Sequence, residues 1–187
     1  MIILSVWEQV SLNKLGILEK GIQKHHPQYD TCLFEGGSVP FLQTLNCQND
    51  KLHPIELTKY YNKLGILQSK QFKKDTVCIT NHGRIGDAVI LKNPTCLSAH
   101  LFGFNSFKNV SDPKFIKYCF NYSKIKKLCN VISSAVSATK ELTLDRILKI
   151  PFPNPPFELQ QKIGKILSTY DLLIENYQRQ IEEAKKQ

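Results

Sequence analysis

The stretch Ile150-Pro151-Phe152-Pro153-Asn154-Pro155-Pro156-Phe157-Glu158-Leu159-Gln160-Gln161-Lys162-Ile163 divides the chain in two. Four prolines in its first seven residues remove backbone donors and push each preceding residue out of the helical region. Residues 151–156 are therefore expected to form a stiff, extended connector. The Pro155-Pro156 pair then suits the opening of a helix. From Phe157 to Gln187 the only helix-weakening residue is Gly164, and a single helix of these 31 residues would be about 46 Å long. Leu159, Ile163, Ile166, Tyr170, Leu173 and Tyr177 are spaced by fours and threes, as in a coiled-coil seam, and are the expected dimerisation residues. Leu167, Ile174 and Ile181 add a parallel row, seven residues apart. The stripe is wider than a two-stranded seam requires. One edge is expected to meet a partner helix and the other its own domain or another subunit.

Upstream, residues 1–150 mix two periodicities. Val39–Leu42, Val77–Thr80, Ala88–Leu91 and Leu97–Phe102 are short, apolar or β-branched, and flanked by Gly, Asn or Pro; they read as strands. Glu56–Leu67 and Pro113–Leu128 carry helical spacing, with Ser111 or Asp112 placed to cap the second run and Pro113 at its first helical position. The expected fold class is α+β: a globular domain with a mixed β-sheet and short helices, followed by one long C-terminal coiled-coil helix. Apolar residues make up 42% of the chain and charged residues 22%, with ten Phe, seven Tyr and one Trp, which excludes disorder. Net charge is +9, and residues 1–150 hold 20 Lys/Arg against 11 Asp/Glu, whereas 151–187 hold five of each. All the excess positive charge lies on the globular part, where it favours a polyanion.

Several function classes drop out. The six cysteines form no C-x-x-C pair and read as buried free thiols. His25, His26 and His53 bring no cysteine or carboxylate at ligand spacing, so no metal site is expected. The N-terminal Met1-Ile2-Ile3-Leu4-Ser5 lacks the basic region and apolar length of a signal peptide. No run approaches membrane-spanning length, so the expected setting is the cytoplasm. No phosphate-binding glycine loop, catalytic triad or cofactor-binding turn is present, and neither a cofactor nor a catalytic residue is expected.

Taken in order, several segments resemble the specificity subunits of type I restriction-modification systems. Trp7-Glu8-Gln9-Val10-Ser11-Leu12 is similar to the family's opening, with Gly21 where its first loop begins. Gly37-Ser38-Val39-Pro40-Phe41-Leu42 with Asn46, and Asp75-Thr76-Val77-Cys78-Ile79 with Gly83-Arg84-Ile85-Gly86, are similar to its central segments. Ala138-Thr139 and Leu142 precede Ile150-Pro151-Phe152-Pro153, and Pro155-Pro156-Phe157-Glu158-Leu159-Gln160-Gln161-Lys162-Ile163 with Leu167 and Asp171 resembles its helix opening. Lys74, Gln160 and Phe157 depart from the usual Gly, Glu and Leu. The usual member has two recognition domains and two such helices, so this chain resembles a half-subunit. The resemblance implies a non-catalytic protein with double-stranded DNA and methyltransferase and restriction subunits as partners, and a homodimer through the C-terminal helix.

Base reading needs polar side chains held rigidly on loops, with Asn and Gln suited to adenine and Arg and Lys to guanine. The candidates are Lys20, Gln23, Lys24, His25, His26, Gln43, Asn46, Asn81, His82 and Arg84. A competing reading takes Asn154-Pro155-Pro156-Phe157 as the motif of an adenine-N6 methyltransferase, in which the Asn and a proline carbonyl hold the target amino group of a flipped base. The missing cofactor turn, and a helix rather than a βα unit after the motif, weigh against it. A third class, a coiled-coil adaptor without DNA contact, leaves the segregated positive charge unexplained.

Overall fold

Alternation along the strands builds the molecule in layers. The computed structural model describes residues 7–134 and 140–186; Met1–Ser5 and the Ala138-Thr139 pair lie outside them. One four-stranded antiparallel sheet runs β2 (Gly16–Lys20), β9 (Leu101–Ser106), β6 (Val77–Thr80), β7 (Ala88–Ile90). A second runs β4 (Tyr60–Tyr61), β3 (Val39–Leu42), β8 (Thr95–Leu97), β5 (Gln71–Phe72), with β3 and β8 parallel. Side chains on a strand point alternately to opposite faces. Val77, Ile79, Ala88, Ile90, Phe102 and Phe104 therefore enter one core, against Phe115, Ile116 and Phe120 of α2 (Pro113–Asn121) and Ile125 and Cys129 of α3 (Ser123–Ser134). Cys78, Val89 and Leu101 face the other way and meet Leu42, Phe72 and Leu97 between the sheets. Phe41 and Cys96, one residue out of phase on β3 and β8, join Leu33 and Tyr61 in a third cluster on the far side.

The strands expected at 39–42 and 77–80 form as read. The expected strand at 97–102 is interrupted by a turn at 98–100 that carries the chain from one sheet to the other. Of the helix expected over 56–67, only α1 (Lys63–Leu67) forms. Glu56 sits at φ +50° with its carbonyl held by the Asn46 amide, and the helix starts where the Asn62 side chain accepts from Gly65 N. The run from Pro113 is two helices rather than one, because Tyr122 takes an extended ψ of 124° between them. Its start is as expected: Asp112 caps the first turn at 2.9 Å from Phe115 N, with Pro113 in the first helical position.

The proline-rich connector is a strand. β10 (Phe152–Asn154) pairs antiparallel with β1 (Glu8–Val10), tying the end of the domain to its beginning. It follows the single turn of α4 (Leu144–Ile147) and leads into α5 (Phe157–Ala184), about 42 Å long at 1.5 Å per residue. No helix among the described residues is long and apolar enough to cross a membrane.

α5 lies on α2 by a polar face. Gln160, Gly164 and Ser168 are buried there. Gln160 accepts from Asp112 N and donates to Val110 O and Pro155 O. Gly164 permits the closest approach: a Cβ at this position would stand 2.6 Å from Asp112 Oδ1. A turn further on, Asp171 accepts from the Tyr118 hydroxyl at 2.6 Å and meets the ammonium of Lys117 at 3.4 Å. Lys117 is 0% exposed. Burial pushes its pKa down and Asp171 pulls it back, while Asn49 O accepts a further hydrogen bond from it.

Candidate nucleic-acid interface

Register decides where the candidate base readers fall. The C-terminal ends of β2, β3, β6 and β8 and the start of β9 all point to one end of the domain. The loops leaving them therefore share one surface, cross-linked by their own side chains. Gln23 Oε1 accepts from Ala99 N at 3.1 Å, Gln43 Nε2 donates to the Tyr29 hydroxyl at 3.0 Å, and Arg84 donates to Cys47 O at 2.8 Å.

The candidates divide by burial. Asn46 (3% exposed) accepts from Gln43 N and donates to Ile55 O and Glu56 O. Asn81 (0% exposed) joins two loops through its backbone, taking His100 O and giving its carbonyl to Leu142 N. Gln23 is half-buried. These three shape the surface rather than face solvent. Lys20, Lys24, His26 and Arg84 are exposed, and His25, Gln43 and His82 are accessible in part. The turn that carries Arg84 depends on two glycines in the left-handed region, Gly83 at φ +71° and Gly86 at φ +77°.

Lys20 pairs with Glu141 at 3.0 Å, and the rings of His82 and His100 stand 5.0 Å apart. The Lys20 hydrogen bond holds the Glu141 carboxyl below the usual range, with His82 and His100 adding to it. Burial, then the neighbouring His82 and Lys20, lower the pKa of His100. His100 and Lys70, which pairs with Glu19, belong to the same end, and no local sequence signal marks them. Only the strand pairing brings His100 near Lys20 and Lys70 onto Glu19.

Elsewhere the geometry bears on the methylation motif. Asn154 Oδ1 and Pro155 O, the atoms that would grip a target amino group, both accept from Gln160 Nε2, at 3.2 and 2.9 Å. Of the expected dimerisation residues, Ile163 is partly buried against the domain's own core. Leu159, Ile166, Tyr170, Leu173 and Tyr177 are exposed, as are Leu167, Ile174 and Ile181.

Residues 5–186 match the family model described as the type I restriction modification DNA specificity domain. The chain belongs to this family. It is 31% identical over 183 residues to the type I restriction enzyme MjaX specificity subunit of Methanocaldococcus jannaschii, covering 96% of this chain and 41% of that protein. The MjaIX specificity subunit of the same organism is 34% identical over 115 residues, 59% of this chain and 25% of that protein. The crystal structure of a type I restriction-modification S subunit from M. genitalium shares the fold, with a TM-score of 0.69 at 18% identity over 96% of this chain and 43% of that one. This specificity domain thus spans about two fifths of the MjaX subunit's length.

Proposed function

We propose that this chain is a DNA sequence-reading part of a type I restriction-modification complex, directing methyltransferase and restriction subunits without chemistry of its own. The observation that carries this reading is the convergence of Lys20, Lys24, His26, His82 and Arg84 on one loop-bearing end of a basic domain. Lysines there neutralise phosphates, and the more rigid groups face base edges. Asn46 and Asn81 act one step back, as positioning residues.

The apolar stripe of α5 supports assembly through that helix. Its polar face is spent on the domain, which leaves Ile166, Tyr170, Leu173 and Tyr177 for a second such helix. Two copies related by a two-fold axis would run antiparallel and carry their domains to opposite ends, reading a symmetric, split target. The division into a recognition domain (1–150), a connector (151–156) and a dimerisation helix (157–187) belongs to this proposal. The test is an exchange: replacing residues 1–150 by another recognition domain in the assembled complex should move the methylated sequence. A methylation site that stays put refutes the reading.

A further inference from the structure

His25, Asp30 and Cys32 are distant in chemical type and close in space. Their donor atoms, an imidazole nitrogen, a carboxylate oxygen and a thiol sulfur, lie within 4.8 Å of one another. They sit on the loop between β2 and β3, the loop that also carries Lys24 and His26. We infer that His25, Asp30 and Cys32 form a binding site for a divalent transition-metal ion of the zinc class, clamping this loop.

Three observations carry the inference. His25 Nε2 and Asp30 Oδ2 are 3.1 Å apart. An ion about 2.0 Å from each would subtend roughly 100° there, near the tetrahedral value, so it fits where the pair now shares a proton. The three residues are also held by backbone anchors that leave their donor atoms available. His25 N donates to Gln68 Oε1, Asp30 N to Pro27 O, and Cys32 O accepts from Asn62 Nδ2 at 2.7 Å. Asp30 Oδ1 takes Cys32 N at 3.0 Å, which orients the carboxylate and leaves Oδ2 to face His25. Finally, Cys32 is the one exposed thiol among the six cysteines, and its sulfur already lies within 4.8 Å of the pair's donor atoms. Binding displaces the thiol proton to solvent and leaves a fourth position open to water or another ligand. Imidazole, carboxylate and thiolate together favour Zn²⁺ or Co²⁺ over Mg²⁺ or Ca²⁺.

The sequence hides this chemistry, because its nearest histidines, His26 beside His25 and the distant His53, are not the partners. His53 instead places Nδ1 2.8 Å from Ile90 O, on a different part of the surface. The partners sit five and seven residues downstream, brought back by a turn at Pro27–Asp30 and a 3-10 turn at Thr31–Leu33.

Cobalt is the direct probe, added to the reduced full chain. One equivalent of Co²⁺ should give a near-ultraviolet thiolate-to-metal charge-transfer band that Zn²⁺ abolishes. Cys32→Ser should remove the band, and His25→Ala and Asp30→Asn should each weaken Co²⁺ binding by at least about tenfold. His26→Ala should leave it unchanged. Cys32 and His26 are exposed, so these variants keep the fold, which circular dichroism checks. No band at stoichiometric cobalt, or a band that survives Cys32→Ser, overturns the site. The spectrum is independent of DNA binding, so its failure and that of the specificity reading are separately visible.

Discussion

Asn46 and Arg84 look alike as candidates in the sequence and do different work in the fold. Asn46 satisfies two loop carbonyls and one backbone amide from a buried position. Asn46→Ala strands those groups and should cost about 1–3 kcal/mol of stability in urea denaturation. Arg84 is exposed beyond its contacts to Cys47 O and Asp87. Arg84→Ala in the assembled complex should lose about 1–3 kcal/mol on the true site if it reads a guanine, and much less on random duplex. Equal loss on both would assign it to phosphate. His100 should add a pH dependence to DNA binding. His100 is held neutral by burial and by positive neighbours, so protonation comes below the usual imidazole value of about 6.5. A phosphate beside it raises that pKa, so binding takes up a proton and DNA affinity should rise as pH falls through this window. Affinity flat from pH 7.5 to 5.5, measured at constant salt, places His100 away from DNA.

At the scale of elements, the decisive one is α5, which turns a polar stripe inward and an apolar stripe outward. Its attachment rests on Gly164. Gly164→Val drives a branched side chain into the Asp112 cap and should cost about 1–3 kcal/mol by overpacking, a loss visible as a lowered Tm. The outward stripe is tested separately. Ile166 and Leu173 are 56% and 45% exposed, so Ile166→Asp with Leu173→Asp leaves the single domain folded. Two charges buried in a helix pair would cost several kcal/mol, so light scattering should show half the wild-type mass. An unchanged mass moves the interface off this helix. The 3-4 pattern marked an apolar stripe but not which side of the helix the domain takes. Periodicity sums apolar positions, whereas the docking of α5 is set by a small residue and by hydrogen bonds that Gln160 and Asp171 accept from Asp112 N and the Tyr118 hydroxyl.

The whole molecule has three parts: a basic globular end, a strand that ties the end of the domain to its beginning, and a long helix with an exposed apolar stripe. If about six phosphates are neutralised, log affinity should fall against log salt with a slope near −5. A slope near zero removes DNA from the partners of this chain. The sequence alone determined the α+β class, the capped helix at Pro113 and the long final helix. Each is written in local chemistry: proline's missing donor, the period of apolar residues, a carboxylate one residue before a helix. Only the tertiary structure decided which loops share a surface, since the pairing of β3 with β8 and of β2 and β6 with β9 joins residues far apart in the chain. It alone turned the connector into a strand, because β10 needs β1 across nearly the whole sequence to complete its hydrogen bonds. It also separated Asn46 and Asn81 from the exposed candidates, since burial belongs to the folded surface and no residue type carries it.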